Sequence, residues 1–354
     1  MKAGVVHNKN DIRYEEVKKP VPGPKEVLIK VAFTGICGSD IPRVNGDASH
    51  FYPNIPGHEF AGTVEETGAE VQSVRPGDHV AGIPLVPCME LEQCRKGDYA
   101  LCRHYSFIGS RQPGSFAQYV VVPEANALKI DQDIPFEQAA FLEPVSVAVH
   151  GLFRLDYQPG KTVAVLGGGT IGLLTAQLAE IYGAAKVVVF DLLQERLDLA
   201  SRLGSLEGIS TADEGWYTAA MEKNGQKGFD YVYVAAGSSE TIKMAFQLAG
   251  PKAQVCMIGT PVSDVTFTPS QWEALNRKEF VLTGSWMSYS SPFPGKEWQT
   301  AADLLKSGRL RIDDSFIFKT VPLDNIAHAF EMFKIPGFVK GKILIDSAAD
   351  REQD

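Results

Sequence analysis

A chain of 354 residues with 44% hydrophobic side chains can bury more than one core, and its length sets the expectation of two domains. Its net charge of -9 argues against nucleic acid and anionic membrane surfaces as partners and points to a small, metabolite-sized ligand. The opening MKAGVVHNKNDIRYEE has no long apolar run after its lysine and soon turns acidic, so neither a signal peptide nor a membrane span is expected there. The chain therefore reads as cytoplasmic. In that reducing compartment its five cysteines, three of them clustered, read as metal ligands and free thiols rather than disulfides.

Over residues 1–150 short β-rich runs, VLIKVAF, EFAGTVEE, DHVAGI and FAQYVVV, alternate with loops dense in Gly and Pro. This pattern predicts an antiparallel, barrel-like module. Within it GICGSD offers Cys37, PGHEF offers His58 and Glu59, and AAFLEPVSVAVHG places Glu143 in an apolar segment where a carboxylate is costly. A thiolate, an imidazole and a carboxylate with an open fourth position make a catalytic zinc site. Singly, each residue has an ordinary alternative: Cys37 as a small core residue, His58 as a hydrogen-bonded turn residue, Glu143 as a helix residue tilted to water. The charged loop CMELEQCRKGDYALC adds Cys88, Cys94 and Cys102, with Leu91 midway between the first two, where a fourth ligand would complete a tetrahedral site.

From residue 151 to 288 the pattern changes. Apolar strands such as TVAVL, KVVVFD, FDYVYVAA and AQVCMIG alternate with amphipathic helices such as QERLDLASRLG and SSETIKMAFQLAG, which predicts a parallel sheet covered on both faces. The turn VLGGGTIG sets Gly167, Gly169 and Gly172 at G-x-G-x-x-G spacing between a strand and a helix, with Thr170 and Ile171 inside the motif. Such a turn lets backbone N–H groups at a helix N-terminus meet a pyrophosphate. Asp191 ends the next strand about twenty residues on, where a carboxylate accepts from the adenosine ribose and repels a 2′-phosphate, favouring NAD over NADP. Its ordinary alternative is a solvated helix cap. Arg196 follows as a further cofactor-binding candidate. Residues 289–354 hold two more helical segments and a last strand, GKILID, expected to return to the first module. The tail SAADREQD is expected to fray.

In combination these motifs resemble the zinc-dependent medium-chain dehydrogenases, a family that includes alcohol, sorbitol and threonine dehydrogenases. The resemblance runs from GPKEVLIKVAFTGICGSD through YPNIPGHEFAGTVEETGAEV and RPGDHVAG to GKTVAVLGGGTIG and the closing GKILI. YSFIGSRQPGSFAQYVVVP, FLEPVSVAVHG and GSWMSYSSPFPGKEW make it most similar to the polyol-type members. It implies an α/β architecture: a GroES-like β-rich catalytic domain plus a Rossmann, doubly wound parallel-sheet cofactor domain. It also implies zinc on Cys37, His58 and a carboxylate, with Glu59 and Glu143 both candidates as ligand or ligand-by-water, and a Ser39 hydroxyl that receives the substrate proton. Where many members carry His five residues after the zinc cysteine, this chain has Pro42, so the proton must leave through another group or water. Members with a second zinc show C-x-x-C-x-x-C-x7-C, a pattern that Leu91 breaks. A Leu side chain donates nothing to a metal, so Glu90, Glu92 or water would have to complete the site, and loss of the second zinc is the favoured expectation.

The implied substrate is a small polyol or polyol phosphate. A phosphate would need cationic donors, for which Arg43 and Arg111 are candidates, each with a plain surface role as the alternative. Trp286 and Tyr289 read as pocket lining or as core and subunit packing. The apolar run EFVLTGSW reads as a sheet edge suited to pairing in a homodimer or homotetramer. Against the polyol-phosphate reading stand, within catalysis, a dehydrogenase of an unphosphorylated polyol or diol such as sorbitol and, outside catalysis, a nucleotide-binding sensor on the same fold.

Overall fold

The computed structural model describes residues 1–348, so the tail expected to fray lies, from residue 349, outside the described residues. The chain forms two compact units, one of Met1–Glu143, Tyr289–Gly308 and Ile312–Asp354, the other of Pro144–Ser288 and Arg309–Arg311. No helix among the described residues is long and apolar enough to cross a membrane.

The first unit is organised by one long strand, Glu26–Gly35. It pairs antiparallel with Glu59–Thr67 on one side, and on the other with Tyr119–Pro123 near its start and Lys342–Asp346 near its end. From Glu59–Thr67 the sheet continues through His79–Gly82 to Ala127–Lys129. β-Branched side chains at every second position explain the strand: Val27, Ile29 and Val31 meet Phe60, Val64, Val80, Val120 and Val122 in one core. The strands of this sheet before residue 150 pair antiparallel, as expected, and at its edge the later strand Ile317–Pro322 runs parallel to Lys342–Asp346. A second core packs Ile36, Val44 and Phe116 against Ile326, Phe330, Ile343 and Ile345, which ties the C-terminal segment to the N-terminal half of the chain.

The second unit is a six-stranded parallel sheet in the order Glu207–Ser210, Lys186–Asp191, Thr162–Leu166, Phe229–Val234, Ala249–Met257, Val281–Gly284. Val163, Ala164, Val165 and Leu166 are all fully buried, as a strand covered on both faces requires. The order reverses direction at Thr162–Leu166, which pairs with Lys186–Asp191 on one side and Phe229–Val234 on the other. In open α/β sheets that switch point, at the carboxyl ends of the strands, is where ligands bind. Among the described residues the outermost strand, Val281–Gly284, pairs only with Ala249–Met257 and leaves Val281 and Leu282 exposed.

Candidate active site

Register explains how Cys37 meets His58. Gly35 faces Glu59 across the antiparallel ladder, so the residue just before Glu59 and the residue two past Gly35 emerge at the same end of the sheet. The donor atoms of Cys37, His58 and Glu59 lie within 4.8 Å of one another, with His58 and Glu59 buried. Glu143 stands in the first turn of the helix Leu142–Phe153, outside this trio but within electrostatic reach of it.

Two residues not singled out from the sequence complete the surroundings. Asp40 is fully buried; its Oδ2 accepts from the Cys37 backbone N–H at 3.0 Å. Its Oδ1 comes within 3.2 Å of His58 Nδ1 without hydrogen-bond alignment, and neither of those buried atoms has a hydrogen-bond partner among the described residues. With Nδ1 turned toward Asp40, Nε2 is the nitrogen available to a metal. Lys342, from the last strand, donates to Glu59 Oε2 at 2.5 Å and to the Ile36 carbonyl at 3.2 Å. One Glu59 oxygen is thus engaged and the other remains for a metal.

The titration shifts follow from burial set against crowded charge. Burial pushes the His58 imidazolium down, but Asp40 and Cys37 outweigh it and raise its pKa well above the usual histidine value. Burial, and then the charge of Glu59, push the Glu143 carboxyl up to about 7 against the pull of His58 and Lys342. Thiol and carboxylates outnumber the cationic groups around one buried imidazole. A divalent cation neutralises that excess, and its sulfur, nitrogen and oxygen donors are those zinc accepts, so the residues fit the ion.

Ser39 is exposed, and its Oγ donates to Cys37 Sγ at 3.4 Å while accepting from Arg43 at 2.9 Å. The Arg43 side chain is only 19% exposed and also lies 3.6 Å from Asp40 Oδ1. Arg111 is exposed, with its guanidinium 4.5 Å above the Tyr105 ring. Tyr289 is buried, its hydroxyl accepting from the Leu85 N–H at 3.1 Å and its ring stacked on Phe293 and Trp298; Trp286 is exposed.

The three loop cysteines also converge. Cys88 Sγ lies 3.9 Å from Cys94 Sγ and 3.4 Å from Cys102 Sγ. Backbone N–H groups of Glu90 and Leu91 lower the Cys88 pKa, whereas burial pushes the Cys94 thiol up to about 11. Leu91 caps the short helix Glu92–Lys96 and brings no donor atom. One buried, reluctant thiol and a missing fourth ligand weaken this loop as a metal site relative to Cys37, His58 and Glu59. After dialysis against a mild chelator, elemental analysis is expected to find one zinc per chain. Two retained ions would show that water or a neighbouring glutamate completes the loop site.

In the second unit the glycine turn sits where the strand order reverses. Gly167 has φ +103°, a conformation open to glycine, and a Cβ on Gly172 would run into the Gly167 carbonyl. A Cβ on Gly169 would meet nothing within 4 Å, so the turn leaves open space at the start of the helix Thr170–Ile181. Thr170 and Ile171 form its first turn, whose N–H groups suit an anion. Asp191 Oδ2 accepts from the Gly168 N–H at 2.7 Å, Oδ1 accepts from Leu193 N–H at 2.9 Å, and Arg196 lies 3.3 Å from Oδ2. Carboxylate, glycine turn and helix N-terminus form one contiguous cradle that fits a dinucleotide.

The sheet with its glycine cradle and the thiolate–imidazole–carboxylate cluster define a zinc- and nucleotide-dependent oxidoreductase. Residues 23–132 match the alcohol dehydrogenase GroES-like domain, and residues 170–307 match the zinc-binding dehydrogenase family. The chain is 38% identical to galactitol 1-phosphate 5-dehydrogenase of Escherichia coli (strain K12) over 84% of this chain and 86% of that one. It is 32% identical to L-threonine 3-dehydrogenase of Anaeromyxobacter sp. (strain K) over 99% of this chain and 100% of that one. The crystal structure of galactitol-1-phosphate dehydrogenase from Escherichia coli matches with a TM-score of 0.92 at 35% identity, covering 98% of this chain and 100% of that chain. The chain belongs to the zinc-binding alcohol dehydrogenase family, with its GroES-like and Rossmann domains.

Proposed function

We propose that the protein oxidises a secondary alcohol of a polyol phosphate, as galactitol 1-phosphate to tagatose 6-phosphate, and uses NAD rather than NADP. The convergence of Cys37, His58 and Glu59 beside the Ser39 hydroxyl carries the alcohol chemistry. Identity to galactitol 1-phosphate 5-dehydrogenase over most of both chains supports the substrate class.

When bound, zinc supplies Lewis acidity to the substrate hydroxyl and the nicotinamide ring supplies the hydride acceptor. Cys37 as thiolate, His58 through Nε2 and the free oxygen of Glu59 would hold the metal, while Asp40 orients the imidazole. Lys342 keeps the second Glu59 oxygen occupied. Burial and the charge of Glu59 push the Glu143 carboxyl up to about 7, and a cation held by the neighbouring ligands would draw it back down, so Glu143 would sit beside the metal as a carboxylate. Ser39 takes the substrate proton. Arg43 cannot accept it onward, because a guanidinium stays protonated, so the exposed Ser39 passes it directly to water. Asp191 accepts from the adenosine ribose, and Arg196 steadies that carboxylate. The exposed edge strand Val281–Gly284 suits pairing with a second copy in a homodimer or homotetramer working in the cytoplasm.

An amino-acid alcohol is the competing substrate, supported by similarity to L-threonine 3-dehydrogenase across nearly the whole chain. One assay separates them: NADH formation from galactitol 1-phosphate, galactitol, sorbitol and L-threonine. The phosphorylated polyol is expected to show the highest kcat/KM, and equal values with and without phosphate would sink the substrate class. In the same assay Asp191→Ser is expected to reduce the preference for NAD over NADP roughly 10–100-fold, the worth of one charge-assisted hydrogen bond. An unchanged preference would place cofactor discrimination elsewhere.

A further inference from the structure

Four arginines of this acidic chain face carboxylates, Arg13 with Asp11, Arg75 with Asp78, Arg196 with Asp191 and Arg277 with Glu273, and others, such as Arg95 and Arg154, donate to backbone carbonyls. Arg111 makes no ion pair among the described residues. Its guanidinium instead lies flat over the Tyr105 ring at 4.5 Å, with one long contact of 3.4 Å to the tyrosine hydroxyl. A guanidinium held by its face keeps most of its N–H fork open. The backbone around it is tied to the metal cluster. Arg111 N donates to the Phe107 carbonyl at 2.8 Å, and the Phe107 ring meets the His58 imidazole edge-on at 5.5 Å.

His50 is the second candidate in this neighbourhood, as a neutral N–H donor rather than a cation. It is exposed, and burial first, then the charges of Arg111 and Arg43, lower its pKa and favour its neutral form. Arg43 is already engaged by Ser39 and Asp40 and contributes charge rather than an open fork. Arg111, without a carboxylate partner among the described residues and joined through Phe107 to the His58 ring, offers its N–H fork to a compact anion.

We infer that Arg111 and His50 form the subsite that grips the phosphate of the substrate, Arg111 through its N–H fork and His50 as a further donor. This rests on the reading of a phosphorylated polyol as substrate. It also assigns Arg43 to positioning Ser39 rather than to the phosphate.

The test compares kcat/KM for galactitol 1-phosphate with that for galactitol in the full-length, zinc-loaded enzyme, and measures inhibition by inorganic phosphate. Arg111→Gln is expected to lower the ratio roughly 10–100-fold and to weaken inhibition by phosphate. Arg111→Lys keeps the charge but loses the fork, so a smaller drop is expected. Arg103→Gln, an exposed arginine in the same stretch, is expected to leave the ratio unchanged. If the wild-type enzyme prefers the phosphorylated polyol and Arg111→Gln keeps that preference, the subsite is wrong and the substrate class stands. If the wild type shows no preference, the substrate reading and the subsite fail together. An equal drop in Arg103→Gln would trace the effect to bulk charge and overturn the subsite as well.

Discussion

Replacing His58 with alanine is expected to lower kcat/KM by at least about 10^4-fold and to leave the first unit without its zinc. The magnitude follows from what the metal is asked to supply, since a bound hydroxyl shifts down by roughly eight to nine pKa units. Metal content provides the readout independent of turnover: elemental analysis of the purified variant is expected to find no tightly held zinc. Asp40→Asn serves as the graded companion. It keeps the shape beside His58 Nδ1 and removes the charge, so metal affinity is expected to fall about 10–100-fold, the usual cost of disturbing a group that orients a ligating histidine. A His58→Ala protein that retains both its zinc and its turnover would remove this cluster from the reaction.

The parts of this site that were legible in the sequence are those whose geometry is local. G-x-G-x-x-G, the strand before it and Asp191 after it are fixed by spacing within one strand–helix–strand unit, and the structure places them in one cradle. Cys37 and His58 are different. Their meeting depends on a ladder register, Gly35 opposite Glu59, that no periodicity specifies, so resemblance to a family had to supply it. Asp40 was hidden because an Asp before a helix-like run reads as an ordinary cap, although here its side chain caps nothing and is turned to Cys37 and His58. Lys342 was hidden by distance, 283 residues from Glu59 in sequence. The same limit applies to the fold: the alternating runs predicted antiparallel strands, but the parallel pairing of Ile317–Pro322 with Lys342–Asp346 is a long-range choice.

That buried lysine carries the second large effect. Lys342→Met is expected to destabilise the protein by about 3–5 kcal/mol, because it leaves the Glu59 carboxylate buried without its cation. Burial pulls the Lys342 ammonium down, yet Glu59 and Cys37 outweigh it and raise its pKa above the ordinary lysine value of 10.5. A raised lysine contributes its full stabilisation below the unfolded value and loses it only as pH rises through the folded one, so the effect should be undiminished at neutral pH. Glu143 responds as well: with Lys342 gone, a charge holding its pKa down disappears and the carboxyl rises above about 7. The double variant Lys342→Met, Glu59→Gln separates pairing from packing. It removes the stranded charge, so most of the lost stability is expected to return, although the zinc site, short of a carboxylate, will not. Thermal and denaturant unfolding of the metal-free proteins measure both arms. A loss below about 1 kcal/mol in Lys342→Met, in the range of an exposed ion pair, would mean that Glu59 finds another partner and that Lys342 does not hold the site together.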